Sequence, residues 1–455
     1  MPKHFEAPAT SGDPLSIAIV GSGISGLGAA WLLSKHHRVT LFEADDRLGG
    51  HTNTVIVETH RGPIPVDTGF IVFNAPNYPN LTALFAHLDV PTRSTTMSFS
   101  VSLDGGRFEY SGSGLAGLLA QRTNALKPRL WRLVRDILRF YREAPRVLVD
   151  DPRGHETLAG YLGRNGYEQS FVYDHLLPMA AAIWSAPTAA MLEFPVTSFV
   201  RFCCNHGLLQ IWNRPTWRTV VGGSRTYIER IVEDTDLDVR LSNPIVKIQR
   251  SLNGVQLIDD KGTTRRFDRV IIATHADQAL SMLVDPSPEE QRILGAFRYQ
   301  RNRAVLHSDA SLMPRRRRAW AAWNYRRHGE NPEAPVSVTY WMNALQHLGD
   351  VPPLFVTLNP EREPAAKTVR YQTWYDHPLF DSAALSAQGE LGRLQGRRNT
   401  WFCGSYCGYG FHEDGLQAGL AVAEDAGGVQ RPWAMTNRSA RIAFGEGSLM
   451  SEAAE

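Results

Sequence analysis

The segment from Ser16 to Glu43 constrains this 455-residue chain more than any other. Ile17, Ala18, Ile19 and Val20 form a short apolar run of the kind a buried parallel strand carries. A Gly21-x-Gly23-x-x-Gly26 turn follows, then an apolar-faced helix with Leu27, Ala30, Trp31 and Leu33. A second strand, Arg38 to Phe42, ends at Glu43 and Ala44. Gly21 suits the tight turn, Gly23 lets a pyrophosphate approach the backbone, and Gly26 lets helix and strand pack closely. The free N–H groups around Ile24 and Ser25 are placed for an anion. Glu43 stands about 20 residues beyond the turn, where an acid bonds both ribose hydroxyls. A structural glycine turn in another α/β fold is the alternative. The pattern predicts a dinucleotide site but does not choose between FAD and NAD.

The next segments bear on that choice. Asp45 to His51 contains Arg47, Gly49 and Gly50, and Val66-Asp-Thr-Gly-Phe70 comes shortly after. Here the chain resembles the flavin amine oxidase, phytoene desaturase and protoporphyrinogen oxidase superfamily, whose R-x-G-G stretch runs along the FAD pyrophosphate and ribityl chain. His51 departs from the pattern, because many members carry Arg or Lys there. The resemblance implies that Thr68, Gly69 and Phe70 pass beside the flavin ring. It implies that Val246 lies near the adenine and that Ala273 and Thr274 close over the cofactor. It also makes Gly404, Ser405, Gly415, Leu416 and Ala418 part of a last FAD motif, a strand followed by a helix whose N-terminus faces the flavin. The backbone around Gly415 and Leu416 would then stabilise negative charge on the ring. In some amine oxidases a cysteine upstream of that motif attaches FAD covalently. The comparable stretch here, Tyr371 to Pro378, has no cysteine, so non-covalent FAD is expected.

The resemblance implies an α/β, amine-oxidase-like fold: a discontinuous Rossmann-like FAD-binding domain with an inserted α+β substrate-binding domain. The FAD motifs fall in three blocks, placed at 14–90, 218–282 and 395–430. The substrate domain is expected from 91–217 and 283–394, and 431–455 reads as a loose tail. A net charge of +2 gives no global reason to expect nucleic acid as a partner. The four cysteines, two of them adjacent, show no zinc-ligand spacing, so free thiols and no metal are expected. No apolar run could span a bilayer, and the first residues lack the core of a signal peptide. A cytoplasmic location follows as the expectation.

Residues 121–147 carry eight basic side chains interleaved with apolar ones. Leu130, Val134, Ile137, Leu138 and Tyr141 fit helical spacing, so the segment reads as a basic amphipathic helix. Such a helix either packs on a core with a solvated basic face or lies peripherally on an anionic membrane, here at its inner face.

Phe202-Cys-Cys-Asn-His206, Val338-Thr-Tyr-Trp-Met-Asn343 and Gly408-Tyr-Gly-Phe-His-Glu-Asp-Gly415 narrow the resemblance. They are similar to the FAD domain fused to plant cyclopropane fatty acid synthases and its stand-alone bacterial relatives. The methyltransferase half of that fusion is absent from this sequence. The resemblance implies a fatty acyl or phospholipid substrate, and a separate S-adenosylmethionine-dependent fatty acyl methyltransferase as partner. Flavin takes a hydride from a C–H bond whose product cation is stabilised, and an allylic C–H qualifies where a saturated mid-chain does not. Dehydrogenation of a methyl-modified unsaturated acyl chain is therefore expected. The rivals are a flavin amine oxidase and a flavin-bearing partner of a methyltransferase without turnover of its own. His206, Tyr340 and Trp374 are the catalytic candidates: His206 as a proton shuttle, the two aromatics as pocket walls.

Overall fold

A computed structural model describes residues 13–151, 156–327, 336–436 and 438–442. The opening segment folds as its pattern predicts, giving β1 (Ser16–Val20), α1 (Ile24–Leu33) and β2 (Arg38–Phe42). A five-stranded parallel sheet is built around β1, in the order Asp238–Arg240, β2, β1, Arg269–Ile272, Thr400–Phe402. Its strands come from distant parts of the chain, yet their carboxyl ends are tied together. Gly21 N–H donates to Phe42 O, Ala273 N–H to Val20 O, and Glu43 N–H to Arg240 O. In open α/β sheets ligands bind outside the carboxyl ends of the strands, and every glycine of the turn lies there.

Every residue of α1 is buried, because the helix is covered on a second side by the C-terminal helix His412–Gly427. Glycine sets the spacing of that pair. A Cβ on Gly419 would sit 2.1 Å from Ser25 O, and one on Gly28 would meet Leu416 Cδ1 at 2.7 Å.

The second layer is a seven-stranded sheet, ordered Val369–Leu379, Arg298–His307, Phe355–Leu358, Ser337–Trp341, Trp323–Arg327, Phe99–Leu103, Phe108–Ser111. All its pairings are antiparallel except that of Trp323–Arg327 with Phe99–Leu103. Val338, Tyr340 and Val356 share one core with the helices Leu177–Trp184 and Val196–Asn205. Among the described residues no helix is long and apolar enough to cross a membrane.

Two expectations are corrected. The basic helix spans Pro128–Glu143, shorter than 121–147. Pro128 starts it because proline fits the first helical position, and a separate 3₁₀ turn, Arg122–Leu126, precedes it. Its buried stripe is Leu130, Leu133 and Phe140, whereas Leu138 is exposed. The chain from 431 to 442 is no loose tail where it is described. Arg431 is buried and grips Glu424 through two bonds of 2.8 and 2.9 Å. Arg441 pairs with the fully buried Asp414 at 2.8 Å. Residues 443–455 lie outside the described residues.

Candidate functional site

The glycine turn is crowded on one side and open on the other. A Cβ on Gly26 would fall 1.9 Å from Gly21 O and 3.1 Å from the Ala273 Cβ. One on Gly21 would touch Ala273 O at 3.0 Å and Thr274 Cγ2 at 3.2 Å. Ala273 and Thr274 therefore lie against the turn itself. A Cβ on Gly23, by contrast, meets nothing within 4 Å. Gly23 is the N-cap of α1 and supplies no side-chain cap, so the first N–H groups of the helix, Ile24 and Ser25 among them, face this open space uncapped. The Glu43 carboxylate is anchored at the tip of β2, where it accepts from Ser22 N–H and Asp45 N–H, each at 2.9 Å. Ala44 beside it is exposed. Asn243 N–H donates to Glu43 O, which brings the exposed Val246 to the same end. An uncapped helix start, an open glycine and an acid beyond it fit a dinucleotide diphosphate and its ribose.

The Arg47–Phe70 segment crosses over this turn. Gly49 and Gly50 both have positive φ, and Gly50 stacks its backbone on Gly23, whose Cα would lie 3.3 Å from a Cβ there. Arg47 is spent within the loop, donating to Gly50 O at 2.9 Å and Thr52 O at 3.2 Å. A cavity of about 450 Å³ borders the loop between Arg47, Thr52, Asn53 and Arg225. Gly69 must be glycine, since a Cβ would fall 1.9 Å from His51 O. Thr68 is buried, bonded to Asn53 O and to the Tyr375 hydroxyl. Below, the Asp67 carboxylate takes bonds from Thr54, Ser224 and Gln346, and burial raises its pKa to about 6.

The C-terminal helix brings a second N-terminus to the sheet, but not through the residues expected. It starts at His412, and the Gly415 N–H already donates to Phe411 O. Leu416 lies one residue further inside, with its side chain against Gly28, and Ala418 is wholly buried. The N–H groups outside the helical ladder thus belong to His412, Glu413 and Asp414. This corrects the reading of Gly415 and Leu416 as the charge-stabilising backbone. Gly415 instead packs on Ile24 and Ser25, with Ser405 N next to it, and Gly404 lies against Tyr406 and Thr274 O. The two acids are occupied elsewhere. Asp414 accepts from Phe411 N–H at 2.8 Å, and Glu413 caps the helix Pro79–His87 through Asn80 and Leu81 N–H, each at 3.0 Å.

Between these loops and the seven-stranded sheet stands a wall of histidine and tyrosine. The His51 ring lies 5.0 Å from Tyr375, 5.3 Å from His377 and 6.4 Å from His275. His412 stacks on Phe70 at 3.8 Å and shares hydrogen bonds with Thr52 and Tyr227. His275 stacks on Tyr299 at 4.3 Å. Burial, reinforced by the neighbouring imidazoles and Arg47, holds His51 well below the usual histidine range. Burial takes His377 down to about 4 and His412 to about 3, so the wall is neutral at physiological pH. His377 Nδ1 accepts from Asn302 Nδ2–H at 2.8 Å if the ring carries its proton on Nε2.

Of the three catalytic candidates, none stands in this wall. Trp374 lies on the outer face of its strand, 52% exposed, under the Arg301 guanidinium. Strand alternation turns its neighbour Tyr375 inward instead, with Tyr371 and His377 on the same face. Tyr340 is buried in the sheet core, edge-on to Trp323 at 5.0 Å. His206 caps the end of the helix Val196–Asn205 and stacks on Phe202 at 3.9 Å. Its Nδ1 lies 2.9 Å from Phe202 O, so Nδ1–H donates and Nε2 keeps a buried lone pair without a partner. Burial lowers its pKa to about 3. Sequence reasoning missed His275, His377, His412 and Tyr371 as site residues. The alternation of Tyr371, Tyr375 and His377 along one strand was the available signal.

Comparison with known proteins agrees with this geometry. The profile of the flavin containing amine oxidoreductases matches residues 24–320. Coproporphyrinogen III oxidase of Mycobacterium leprae is 29% identical over 298 residues, covering 60% of this chain and 62% of that protein. This chain thus spans under two thirds of that relative. A putrescine oxidase variant superposes with a TM-score of 0.65 at 16% identity, covering 91% of this chain and 99% of its own. A conjugated-linoleic-acid-producing fatty acid isomerase from P. acnes gives 0.61 at 14% identity, covering 90% and 98%. At such identities the structures share the fold alone. The cofactor that the cradle fits is FAD. The chain belongs to the flavin containing amine oxidoreductase family.

Proposed function

We propose that this protein is an FAD-dependent oxidoreductase that dehydrogenates a methyl-modified unsaturated fatty acyl chain. The observation that carries the reading is the charge of the wall. His51, Tyr375, His377 and His412 are neutral, Arg47 adds positive charge behind, and the acids that reach this region among the described residues, Asp277 and Asp376, act on His275 at its edge. A protonated amine would enter such a site without a counter-ion, whereas a neutral allylic C–H asks for none. Bound FAD supplies the hydride acceptor. The chain's own residues hold the cofactor at the open glycine, exclude water with the Phe70–His412 stack, and offer neutral imidazoles to take the proton lost beside the new double bond. The resemblance of the Phe202–His206 and Val338–Asn343 segments to the plant synthase FAD domain supports an acyl substrate. So does the name of the P. acnes neighbour, though it speaks only of that protein. A separate acyl methyltransferase would then supply the substrate.

The test is anaerobic bleaching of the flavin by detergent-dispersed phospholipids carrying methylated or unmethylated unsaturated chains. Bleaching by the methylated lipid is expected. Failure with both, alongside peroxide release from polyamines or monoamines, would replace the reading with an amine oxidase. That second reading draws on the tyrosines Tyr371 and Tyr375, which give the wall an aromatic edge, and on the putrescine oxidase fold match.

A further inference from the structure

One surface of the molecule has no role in the cofactor site, and it combines exposed tryptophans with unpaired arginines. At 100° per residue, Trp131, Val134, Leu138 and Tyr141 form a stripe along the helix Pro128–Glu143, beside the buried stripe of Leu130, Leu133 and Phe140; Val134 and Tyr141 lean on the core, and Trp131 and Leu138 stand out from it. Trp131 is 49% and Leu138 48% exposed. Trp131 is held outward rather than loosely hung, since its indole N–H donates to Ala125 O at 2.8 Å. Leu126, in the turn before it, is 88% exposed. A second segment, after the helix Val196–Asn205, presents Ile211 and the 80% exposed Trp212. The charge of this segment reaches the helix. Burial raises the Tyr141 hydroxyl, and the charge of Arg214 works against that rise.

The charge around these apolar groups is mixed but net positive: Arg129 pairs with Asp104 and Asp174, and Arg135 with Glu168. Residues 121–147 contain eight basic side chains against Asp136 and Glu143. Asp136 is fully buried, and Glu143 is held by Arg139 and Arg142. Arg122, Arg132 and Arg146 are exposed and form no ion pair among the described residues. Arg214 also borders a cavity of about 420 Å³ lined by Met97, Trp320, Ala322 and Trp341. The patch therefore adjoins a recess in the sheet-bearing half of the molecule, where Thr96, Ser98 and Ser113 share the lining with the tryptophans.

We infer that this face is the membrane dock of the protein, with Trp131, Leu138 and Trp212 entering the interface of an anionic phospholipid bilayer and Arg122, Arg132 and Arg146 meeting its headgroups. Tryptophan prefers the headgroup level, and basic residues around an apolar face direct it to anionic lipid. A protein partner of acidic surface would match the arginines but would not need outward indoles. The inference goes beyond the proposed reaction, since it concerns binding without turnover.

Sedimentation of the full-length FAD-loaded protein with vesicles tests it. Phosphatidylcholine vesicles containing phosphatidylglycerol are expected to carry the protein down at low salt, with a blue shift of tryptophan fluorescence; pure phosphatidylcholine vesicles are expected to carry far less. Trp131→Glu with Trp212→Glu should weaken binding by at least about tenfold, and Arg132→Ala or Arg146→Ala by about fivefold each. Leu252→Glu, at a 91% exposed leucine of the hairpin Ile245–Ser251 to Gly254–Asp259, should bind as wild type. Retained flavin absorbance shows that each variant is folded, and the arginine variants stand in should the tryptophan pair not fold. Equal sedimentation with both vesicle types, or binding that none of these variants alters, would overturn the inference. Failure here would leave the flavin-bleaching test of the reaction untouched, because that test uses dispersed lipid.

Discussion

Gly23→Ala separates the cofactor cradle from the fold. Gly23 has φ −61° and ψ 176°, values open to any residue, and a Cβ there meets no atom within 4 Å. The apoprotein should tolerate alanine, with a gain of about 0.4–1 kcal/mol from the stiffer unfolded chain. The open side of Gly23 is where the diphosphate must come close to the uncapped start of α1. A methyl group in that space displaces a charged oxygen from one or two backbone N–H bonds worth about 1.5–3 kcal/mol each. At 1.4 kcal/mol per decade, the FAD dissociation constant should rise roughly 10- to 100-fold or more. Gly26→Ala is the contrast. Its Cβ would collide with Gly21 O at 1.9 Å, a backbone atom that cannot rotate away. Overpacking of about 1–3 kcal/mol should lower both apoprotein stability and FAD affinity. Thermal unfolding of the apoproteins by circular dichroism, with titration of FAD by fluorescence quenching, reads both quantities. If Gly23→Ala binds FAD like wild type, or melts like Gly26→Ala, the open glycine is not the diphosphate seat.

Arg441→Ala should destabilise by about 3–5 kcal/mol in urea unfolding, because it leaves the Asp414 carboxylate buried and unpaired at the start of the C-terminal helix. Tyr375→Phe removes bonds to Asn53 and Thr68 and should cost about 1–2 kcal/mol and shift the flavin spectrum, whereas Trp374→Ala should change stability by no more than about 1 kcal/mol and leave the spectrum alone. Asp67 predicts a pH dependence. Its carboxyl is raised from 3.8 to about 6 on folding, so ionisation costs the folded state nothing below 3.8 and about 3 kcal/mol above 6. The unfolding free energy of the apoprotein relative to Asp67→Asn should therefore rise as pH falls from about 6 to 4, and a flat difference would contradict the burial argument.

What the sequence made legible was local. Gly26 acts within six residues, against Gly21 O, so the glycine spacing alone announces the turn, and Glu43 follows at the distance one βαβ unit imposes. Readings that depended on parity or phase fared worse. Trp374 and Tyr375 are both large and aromatic, and only the register of the strand with Arg298–His307 decides which faces inward. In the helix Pro128–Glu143 the apolar arc runs from Phe140 round to Trp131, wider than one core contact can cover. Composition cannot say which edge of that arc stays in water. The resemblance pointed to Gly415 and Leu416 as the backbone facing the flavin, but Asp414 is already the third helical residue. Arg431 and Arg441 are polar residues in a small-residue segment, which reads as loose until their buried partners are seen. The histidine wall was least legible, because positions 51, 275, 377 and 412 share no local pattern and meet only through the fold.

That wall is also where the family resemblance stops deciding and the individual chain begins. Two helix starts, at Ile24 and His412, converge on the carboxyl ends of one parallel sheet, so the fold presents partial positive charge from both sides. Such a field suits an anionic cofactor and would do so in any relative. The substrate side is different, because it is set by side chains that a fold leaves free. Here those side chains are imidazoles held neutral by burial and by one another. Protonating His51 would place a second positive charge beside Arg47, 5.3 Å from the His377 ring and 6.4 Å from His275, in surroundings that screen poorly. A cationic substrate meets the same penalty. The two costs have a common origin, so on the proposed reading the arrangement that keeps the histidines unprotonated also disfavours an ammonium ion beside them. The proposed acyl substrate meets that condition, since it arrives uncharged at the reacting carbon, whatever charge it carries at the far end.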